Sequence, residues 1–435
     1  MFSSPVFGVF MANTLVSFYL LKFSTDVLLM APAVIGSLLL LARFWDAITD
    51  PLAGWLSDRT NTRLGRRRPW LLGTALPFGA AVVMLWSPPE TLSSSGLTLW
   101  VGAAILLFYT AYTAFRIPHL AFAAELDRGY HDRTRVFAIL QIVESLGMFA
   151  ATGALFFLEA ADDPRAFARQ LALAMGAFAA LLLLLPVLFL RERAEFQGKG
   201  STNPIRAFGD VVKNNNARVL IGVFFLEQIG FSALVVLLPY LSDYVVVSPG
   251  RTALYLSSAI AAILISIPAW VVISRRFGKR RAWLWSLSGK VLIFFSIFFF
   301  GQGDMAIMVA ASVALGLMHG CGAVVGQSLQ ADVIDWDHAQ TGQRKEGTYF
   351  AAWNFAQKAA GGLAVWAVGM MLSMTGFVPN ISQSAGTITG MLLLASALPG
   401  VLHIVAIALL TRFSLDEQQH QAAMAASAES AQAET

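Results

Sequence analysis

The chain has 435 residues, of which 57% are hydrophobic and only 13% charged, where a soluble domain carries about 25% charged residues. With a mean hydropathy of +0.65, this composition excludes a soluble globular protein and indicates an all-α integral membrane protein. The net charge of +4 would suit a nucleic-acid partner, but the distribution of the basic residues indicates membrane orientation instead. The single cysteine, Cys321, excludes an intramolecular disulfide.

Twelve apolar runs are long enough to cross a bilayer. The stretch 191–217 is polar and is predicted to be a cytoplasmic linker between two six-helix bundles, 1–190 and 218–413, and residues 414–435 form a predicted tail. The predicted membrane helices are residues 4–24, 31–56, 69–88, 97–124, 135–159, 166–190, 218–244, 251–274, 282–302, 305–330, 347–376 and 386–411.

Near the outer end of the first run stands a lysine, Lys22. Long basic side chains commonly extend along apolar surface until their charge meets water. We therefore expect Lys22 to reach the membrane surface.

The second run carries charges where a membrane helix is normally apolar. Arg43, Asp46 and Asp50 are spaced i, i+3 and i+7, so they share one helix face. Each ionisable group at this depth costs about 2.5–3.5 kcal/mol on insertion scales. The three charges sum to −1, which favours a site for Na⁺ or H⁺, with the Thr49 hydroxyl as a further oxygen ligand. The alternative is a self-neutralising structural triad.

Basic residues are concentrated in the loops that follow helices 2, 4, 6, 8 and 10. The opposite loops hold Arg165, Arg169 and Arg251. By the positive-inside rule, both termini are predicted to be cytoplasmic.

The two halves repeat in sequence. Residues 64–70 (L-G-R-R-R-P-W) recur as 277–283 (F-G-K-R-R-A-W), each between the second and third helix of its half. The acidic residues near the end of the fourth helix, 125–127, are echoed at 332–337. Six plus six helices in parallel repeat are typical of transporters in which two bundles rock about a central site.

Other charges lie inside predicted helices. Arg116 precedes Pro118, and a guanidinium suits a carboxylate, sulfonate or phosphate, so Arg116 is a candidate ligand for an anionic substrate. The alternative is that Arg116 pairs with Glu144 or with the helix-2 acids. For Glu227 and Lys290, the simplest interpretation is a mutual structural pair.

The motifs at residues 43–70, 117–135 and 331–362 resemble those of the glycoside–pentoside–hexuronide:cation symporters, the melibiose permease branch of the major facilitator superfamily. The resemblance covers both halves. It implies a twelve-helix fold and cation-coupled transport of a small sugar-like substrate.

The resemblance also assigns roles to single residues. Asp46 and Asp50 match the family's cation-binding acids on helix 2, and Lys358 matches the helix-11 lysine that faces them. Arg43 matches a basic residue one turn before the acids. Lys358 and Arg43 are thus the predicted coupling charges, because a lysine that neutralises an empty site can be displaced by the cation.

Two departures from the family bear on the substrate. Melibiose permease carries acids on helices 1 and 4 where this chain has Phe10 and Arg116. We therefore expect an acidic glycoside or hexuronide rather than melibiose. Related carriers of lysophospholipids keep the helix-2 acids and the helix-11 lysine, so a lysolipid is the alternative substrate.

Several aromatic and amide side chains are candidates for lining a sugar cavity, because aromatic faces pack on sugar C–H faces and amides bond hydroxyl groups. Each has packing as its alternative role. They are Trp45, Tyr112, Tyr240, Trp353 and Asn354.

The loop after helix 2 resembles the superfamily's cytoplasmic gate motif, in which acids and arginines pair in one conformation and separate in the other. The alternative is a purely topological role for these charges. The predicted gate residues are Asp58, Arg59, Arg66, Arg67, Glu125, Arg133, Asp335 and Arg344.

The sequence lacks H-E-x-x-H and G-x-x-x-x-G-K-[ST] motifs, and we predict that the protein is not an enzyme, with a receptor or a channel as weaker alternatives. No cofactor is expected beyond the coupling ion. The predicted partners are the substrate, the cation and the bilayer of the cell membrane (the inner membrane in a bacterium), with no nucleic acid. We expect a monomer.

Overall fold

The computed structural model describes residues 2–125, 130–189, 211, 213–341 and 346–415. Within these ranges the chain forms helices and no strand, as predicted. The first six are α1 (Ser4–Lys22), α2 (Pro32–Arg59), α3 (Arg68–Trp86), α4 (Ser94–Glu125), α5 (Tyr130–Glu159) and α6 (Pro164–Phe189). The next six are α7 (Asn215–Tyr240), α8 (Thr252–Phe277), α9 (Lys279–Ile297), α10 (Met305–Thr341), α11 (Glu346–Met374) and α12 (Ala385–Leu410).

Eleven of the described helices are long and apolar enough to cross a membrane. In the described part of the chain the exception is α9, which opens on Lys279, Arg280 and Arg281 and carries Lys290 in its middle. The prediction of twelve helices is therefore confirmed. Twelve membrane crossings and cytoplasmic termini stay predictions.

Local sequence explains where several helices begin. Pro32 and Pro69 stand in the first turns of α2 and α3, where a missing N–H costs no helical hydrogen bond. The side chains of Asn214 and Ser384 accept hydrogen bonds from the backbone N–H groups of the first turns of α7 and α12.

The described chain divides into two compact units. The first contains Met1–Thr202, Pro249–Ala253 and Leu372–Ser382, and the second contains the remainder. The predicted linker, 191–217, and the predicted tail, 414–435, lie largely outside the described residues. Their roles stay predictions.

In the first unit, α3 packs against α4 and α6, α1 packs against α5 and α6, and α2 packs against α4. The α3–α6 contact depends on two glycines. A Cβ added to Gly79 would lie 2.8 Å from the carbonyl oxygen of Gly176, and one added to Gly176 would lie 2.7 Å from that of Gly79. Only glycine permits this approach of two backbones.

In the second unit, α12 packs against α7 and α9, and α9 packs against α10. The close approach of α10 to α8 also depends on glycine, since a Cβ on Gly316 would overlap the carbonyl oxygen of Ala259 on α8. A π-helical turn, Gly322–Gly326, interrupts α10.

The sequence repeat is matched in the backbone. Gly65 and Gly278, at corresponding positions of the two copies, have φ of 100° and 89°, a conformation that favours glycine. The structure extends the correspondence to the first helix of each half. Both α1 and α7 continue into five-residue π turns, Phe23–Val27 and Leu241–Val245.

The prediction for Lys22 is wrong. Its side chain is buried, and its Nζ lies 2.7 Å from Oδ2 of Asp26 in the π turn that follows α1. The backbone oxygen of Asp26 also accepts a hydrogen bond from Nδ2 of Asn380, at 2.9 Å. The π turn supplies a carboxylate inside the unit, so the lysine is neutralised there and does not extend to the surface.

Candidate functional site

The charged face of α2 lies against α4. Asp46 is completely buried, and its Oδ2 is 3.3 Å from Nη1 of Arg43. The same guanidinium donates a hydrogen bond of 2.6 Å from Nη2 to the hydroxyl of Tyr109 and lies 4.2 Å from the centre of that ring. Arg43 therefore joins an acid of α2 to an aromatic hydroxyl of α4.

One turn further along α2, a second acid contacts α4. The buried hydroxyl of Thr113 donates a hydrogen bond of 2.7 Å to Oδ1 of Asp50. The hydroxyl of Thr49, which lies between the two acids in sequence, donates to the backbone oxygen of Trp45 at 3.1 Å. Two carboxylates and two hydroxyl groups thus supply the oxygen ligands that hard cations prefer.

Trp45 is anchored at the edge of this contact. Its Nε1 donates a hydrogen bond of 2.8 Å to the hydroxyl of Thr110, while 39% of the residue remains exposed. The ring is therefore fixed by its nitrogen and keeps exposed surface that a substrate could contact.

The two positions that depart from the melibiose permease pattern lie together. The guanidinium of Arg116 lies 4.8 Å from the centre of the Phe10 ring, and that ring is 6.5 Å from the ring of Tyr112. Nη1 of Arg116 lies 2.7 Å from Oε1 of Glu144 on α5. The alternative considered for Arg116, a pair with Glu144, is therefore present, and a role in substrate binding stays a prediction.

Ion pairs form at the predicted gate of the first unit. Arg67 donates hydrogen bonds of 2.6 Å to Oδ1 of Asp58 and to Oγ of Ser57, and Arg66 lies 3.9 Å from the same carboxylate. Arg59 instead stacks on the ring of Trp55, at 4.2 Å. Arg67 is buried, as is Ser57, so this hydrogen-bonded pair lies inside the unit.

The matching contact in the second unit joins Lys279 to Asp332, with Nζ at 2.6 and 2.8 Å from the two carboxylate oxygens. The predicted gate residue Asp335, on the same helix, is exposed. Arg344 and the side chains of Glu125 and Arg133 lie outside the described residues, so their gate roles stay predictions.

The predicted lining residues of the second unit differ in exposure. Tyr240 is completely buried at the end of α7, and Trp353 is buried with its ring 4.7 Å from that of Phe224. Asn354 is exposed and Lys358 is half-buried on α11. Packing accounts for Tyr240 and Trp353, whereas Asn354 and Lys358 keep surface available to a ligand.

The predicted pair of Glu227 and Lys290 is confirmed. Both side chains are buried, and Nζ of Lys290 is hydrogen-bonded to Oε1 of Glu227. Nε1 of Trp283 donates a 3.0 Å hydrogen bond to Oε2 of the same carboxylate. His319 completes the cluster, with Nδ1 at 4.0 Å from Oε1 of Glu227.

The sequence reasoning did not identify the α4 partners of the helix-2 acids, Tyr109, Thr110 and Thr113. Their hydroxyl groups interrupt an otherwise apolar run, and Tyr109 and Thr113 are spaced i, i+4, so they share one face. That spacing was the available signal.

Comparison with known proteins places this geometry in context. The family model described as MFS/sugar transport protein matches residues 1–417. A putative glycoside/cation symporter of Escherichia coli, YagG, is 23% identical, covering 93% of this chain and 89% of its own length. The sphingosine-1-phosphate transporter MFSD2B of Xenopus tropicalis is 26% identical, covering 92% of this chain and 84% of its own length.

Among solved structures, a D-xylose–proton symporter superposes with a TM-score of 0.70 at 15% sequence identity, covering 95% of this chain and 97% of that one. At this level of identity the likeness shows the fold alone.

Proposed function

The chain belongs to the MFS/sugar transport protein family, and from that membership we propose that it carries a small sugar-like substrate together with Na⁺ or H⁺ by alternating access. Its motifs and relatives place it with the glycoside–pentoside–hexuronide:cation symporters. It is a multi-pass membrane protein and a secondary transporter, not an enzyme.

The contact between α2 and α4 is the observation that supports the proposed cation site. Asp46 and Asp50 face α4, where Tyr109 and Thr113 contact the two ends of the charged face. The side chains of Arg43, Asp46 and Asp50 sum to a charge of −1, and carboxylate and hydroxyl oxygens are the ligands that hard cations prefer. The proposed ligands therefore suit Na⁺, and a carboxylate can alternatively take up H⁺.

In the proposed coupling cycle, Lys358 neutralises this site when the cation is absent and is displaced when it binds. Asp58–Arg67 and Lys279–Asp332 act as gate pairs that hold one conformation and break in the other. Both ion pairs are formed in this structure, with Nη2 of Arg67 and Nζ of Lys279 each 2.6 Å from a carboxylate oxygen, and this supports such a role.

For the substrate, we propose an acidic glycoside or a hexuronide. The guanidinium of Arg116 lies against Phe10 and Tyr112, where an aromatic face and a positive charge meet. In this structure the guanidinium of Arg116 is paired with the carboxylate of Glu144. A substrate carboxylate would take the place of Glu144, because it offers the same pairing geometry.

Thermal unfolding of the purified full chain tests this proposal. Stabilisation grows with ligand occupancy, so glucuronate should raise the melting temperature more than methyl β-D-glucoside, and NaCl or lower pH should enlarge the shift. Melibiose serves as the sugar expected to have no effect. No stabilisation by any sugar, with or without Na⁺, would overturn the sugar assignment.

A second substrate class is favoured by one specific comparison. The relative named as a sphingosine-1-phosphate transporter covers nearly the whole chain, and Arg116 suits a phosphate as well as a carboxylate. Stabilisation by sphingosine-1-phosphate in detergent, with none by glucuronate, would assign an anionic lipid instead. An Arg116→Gln variant should lose the response to either anion.

A further inference from the structure

His319, on α10, differs from the charged residues around it in being accessible. Its side chain is 20% exposed, whereas those of Glu227 and Lys290 are 3% and 2% exposed. The imidazole stacks on the ring of Phe231 with the centroids 3.8 Å apart and the planes 12° apart. Of these three side chains, His319 is therefore the one with appreciable exposure, and its ring stacks on that of Phe231.

The carboxylate beside His319 is fixed from two sides. Lys290 binds Oε1 of Glu227, and Nε1 of Trp283 donates to Oε2 at 3.0 Å. A Cβ at position 322 would lie 3.0 Å from Oε1, so Gly322, at the start of the π turn of α10, leaves room for the carboxylate. Glu227 thus has a defined position from which to act on the imidazole.

The two ring nitrogens of His319 have different surroundings. Nδ1 is buried and makes no hydrogen bond within the described part of the chain, and Oε1 of Glu227 lies 4.0 Å away. A negative carboxylate stabilises the tautomer with its proton on the nearer nitrogen. That tautomer leaves Nε2 as a hydrogen-bond acceptor on a side chain that is 20% exposed.

Two other histidines of the described chain show what a purely structural imidazole looks like here. His403 is completely buried, and its Nδ1 lies 2.7 Å from the backbone oxygen of Pro399. His119 is also completely buried, and its Nε2 lies 2.9 Å from the backbone oxygen of Phe2. Both satisfy one nitrogen internally, whereas His319 is oriented by a carboxylate and keeps exposed surface.

We propose that His319 is a substrate-binding residue of the second unit, whose Nε2 accepts a hydrogen bond from a hydroxyl group of the sugar. Glu227, Lys290 and Trp283 are positioning residues that set the tautomer and orientation of the imidazole. The inference rests on the proposed sugar-transport function and extends it to the second unit, where the sequence motifs assigned no histidine.

Three variants of the full chain separate binding from packing. His319→Phe keeps the stack on Phe231 and removes both nitrogens. His319→Gln places an amide near the position of Nε2. His338→Gln is the matched control, since it alters another histidine of α10, which is half-buried.

The affinity of each variant is measured by thermal-shift titration with glucuronate, methyl β-D-glucoside and methyl β-D-xyloside. A neutral hydrogen bond contributes about 1 kcal/mol, so His319→Phe should raise the dissociation constant of the bound sugar about fivefold. His319→Gln should recover most of that loss, and His338→Gln should leave the affinity unchanged.

The role of Glu227 in positioning His319 is tested by determining which ring nitrogen of His319 carries the proton. Nitrogen-15 NMR of the protein labelled at histidine should show His319 with its proton on Nδ1, and Glu227→Gln should produce a mixture of tautomers. A proton on Nε2 of the wild-type ring, or an unchanged tautomer in Glu227→Gln, would overturn the positioning role.

The binding outcomes keep the two proposals distinct. If the wild-type protein binds a sugar of this panel and His319→Phe binds it equally well, the role of His319 is overturned and the transport proposal stands. If the wild-type protein binds none of these sugars, the sugar proposal and the role of His319 both fall.

Discussion

The guanidinium of Arg43 is shared between Asp46, at 3.3 Å on its own helix, and the hydroxyl of Tyr109, at 2.6 Å on α4. The shorter contact is the one to the neutral hydroxyl. Tyr109 therefore holds Arg43 at the edge of the carboxylate, where the arginine offsets Asp46 without occupying it fully.

Tyr109→Phe tests this arrangement. The variant keeps the ring beneath Arg43 but removes the hydrogen bond, so the guanidinium should pair more closely with Asp46 and compete with the cation. We expect the half-saturating concentration of Na⁺, or of H⁺, in substrate uptake to increase three- to tenfold, since one such contact is worth about 1 kcal/mol. Thr98→Val is the control, since it removes a hydroxyl of α4 that donates to the backbone oxygen of Ser94, and an unchanged ion dependence in Tyr109→Phe would refute the competition.

The hydroxyl of Thr113 should matter to Asp50 in the same assay. Thr113→Val is nearly isosteric but leaves the carboxylate without its 2.7 Å hydrogen bond. We expect weaker ion dependence and a lower uptake rate in proteoliposomes, with recovery in Thr113→Ser. If valine and serine behave alike, the hydroxyl plays no part in the cation site.

Breaking the buried pair of the second unit should cost more than removing it. Glu227→Gln or Lys290→Met alone leaves a buried charge without its partner, and such changes cost about 3–5 kcal/mol. The double variant Glu227→Gln/Lys290→Met should recover much of that loss, as measured by thermal unfolding in detergent. Additive losses in the double-mutant cycle would show that the two charges do not act as a pair.

The gate contact of the first unit gives a separate prediction. Asp58→Asn removes the charge that pairs with buried Arg67, and a hydrogen bond to a charged group contributes about 1.5–3 kcal/mol. We expect a lower melting temperature, and substrate uptake to fall because one conformation loses its ion pair. The exchange Asp58→Arg/Arg67→Asp should restore part of both; a double variant no better than Asp58→Asn would argue against a direct pair.

The glycine contact between α3 and α6 predicts different effects at two positions of one helix. Gly79→Ala forces a methyl group against the backbone of Gly176 and should lower the melting temperature by several degrees, because the helices must separate. Gly73→Ala, on the same helix with nothing within 4 Å of the added Cβ, should leave stability unchanged or raise it slightly. Equal effects at the two sites would show that the close approach contributes nothing.

Helical periodicity explains why the charged face of α2 could be predicted. The spacing of Arg43, Asp46 and Asp50 puts them on one face whatever the tertiary structure, and the structure keeps Arg43 and Asp46 in contact. The loop repeat was likewise visible in the sequence, since Gly65 and Gly278 occupy matched positions and share a positive φ.

Contacts between distant helices could not be predicted in the same way. Glu227 and Lys290 lie on α7 and α9, so their pairing follows from packing that no local pattern specifies. His319 joins the same carboxylate from α10. Lys22 was misplaced although the signal was local, because Asp26 is spaced i, i+4 from it and such residues are neighbours on a helix.

The π turns at the ends of α1 and α7 have a consequence for tolerance to deletions. Each accommodates about one extra residue per turn and is followed two residues later by a side-chain-bearing residue with positive φ, Leu29 (57°) or Val247 (56°). Deleting one residue from either turn would rotate every side chain upstream by about 100° relative to the loop that follows. A deletion in the first turn would displace Lys22 from Asp26, whose backbone oxygen also accepts a hydrogen bond from Asn380, so the length of that turn matters as well as its charges.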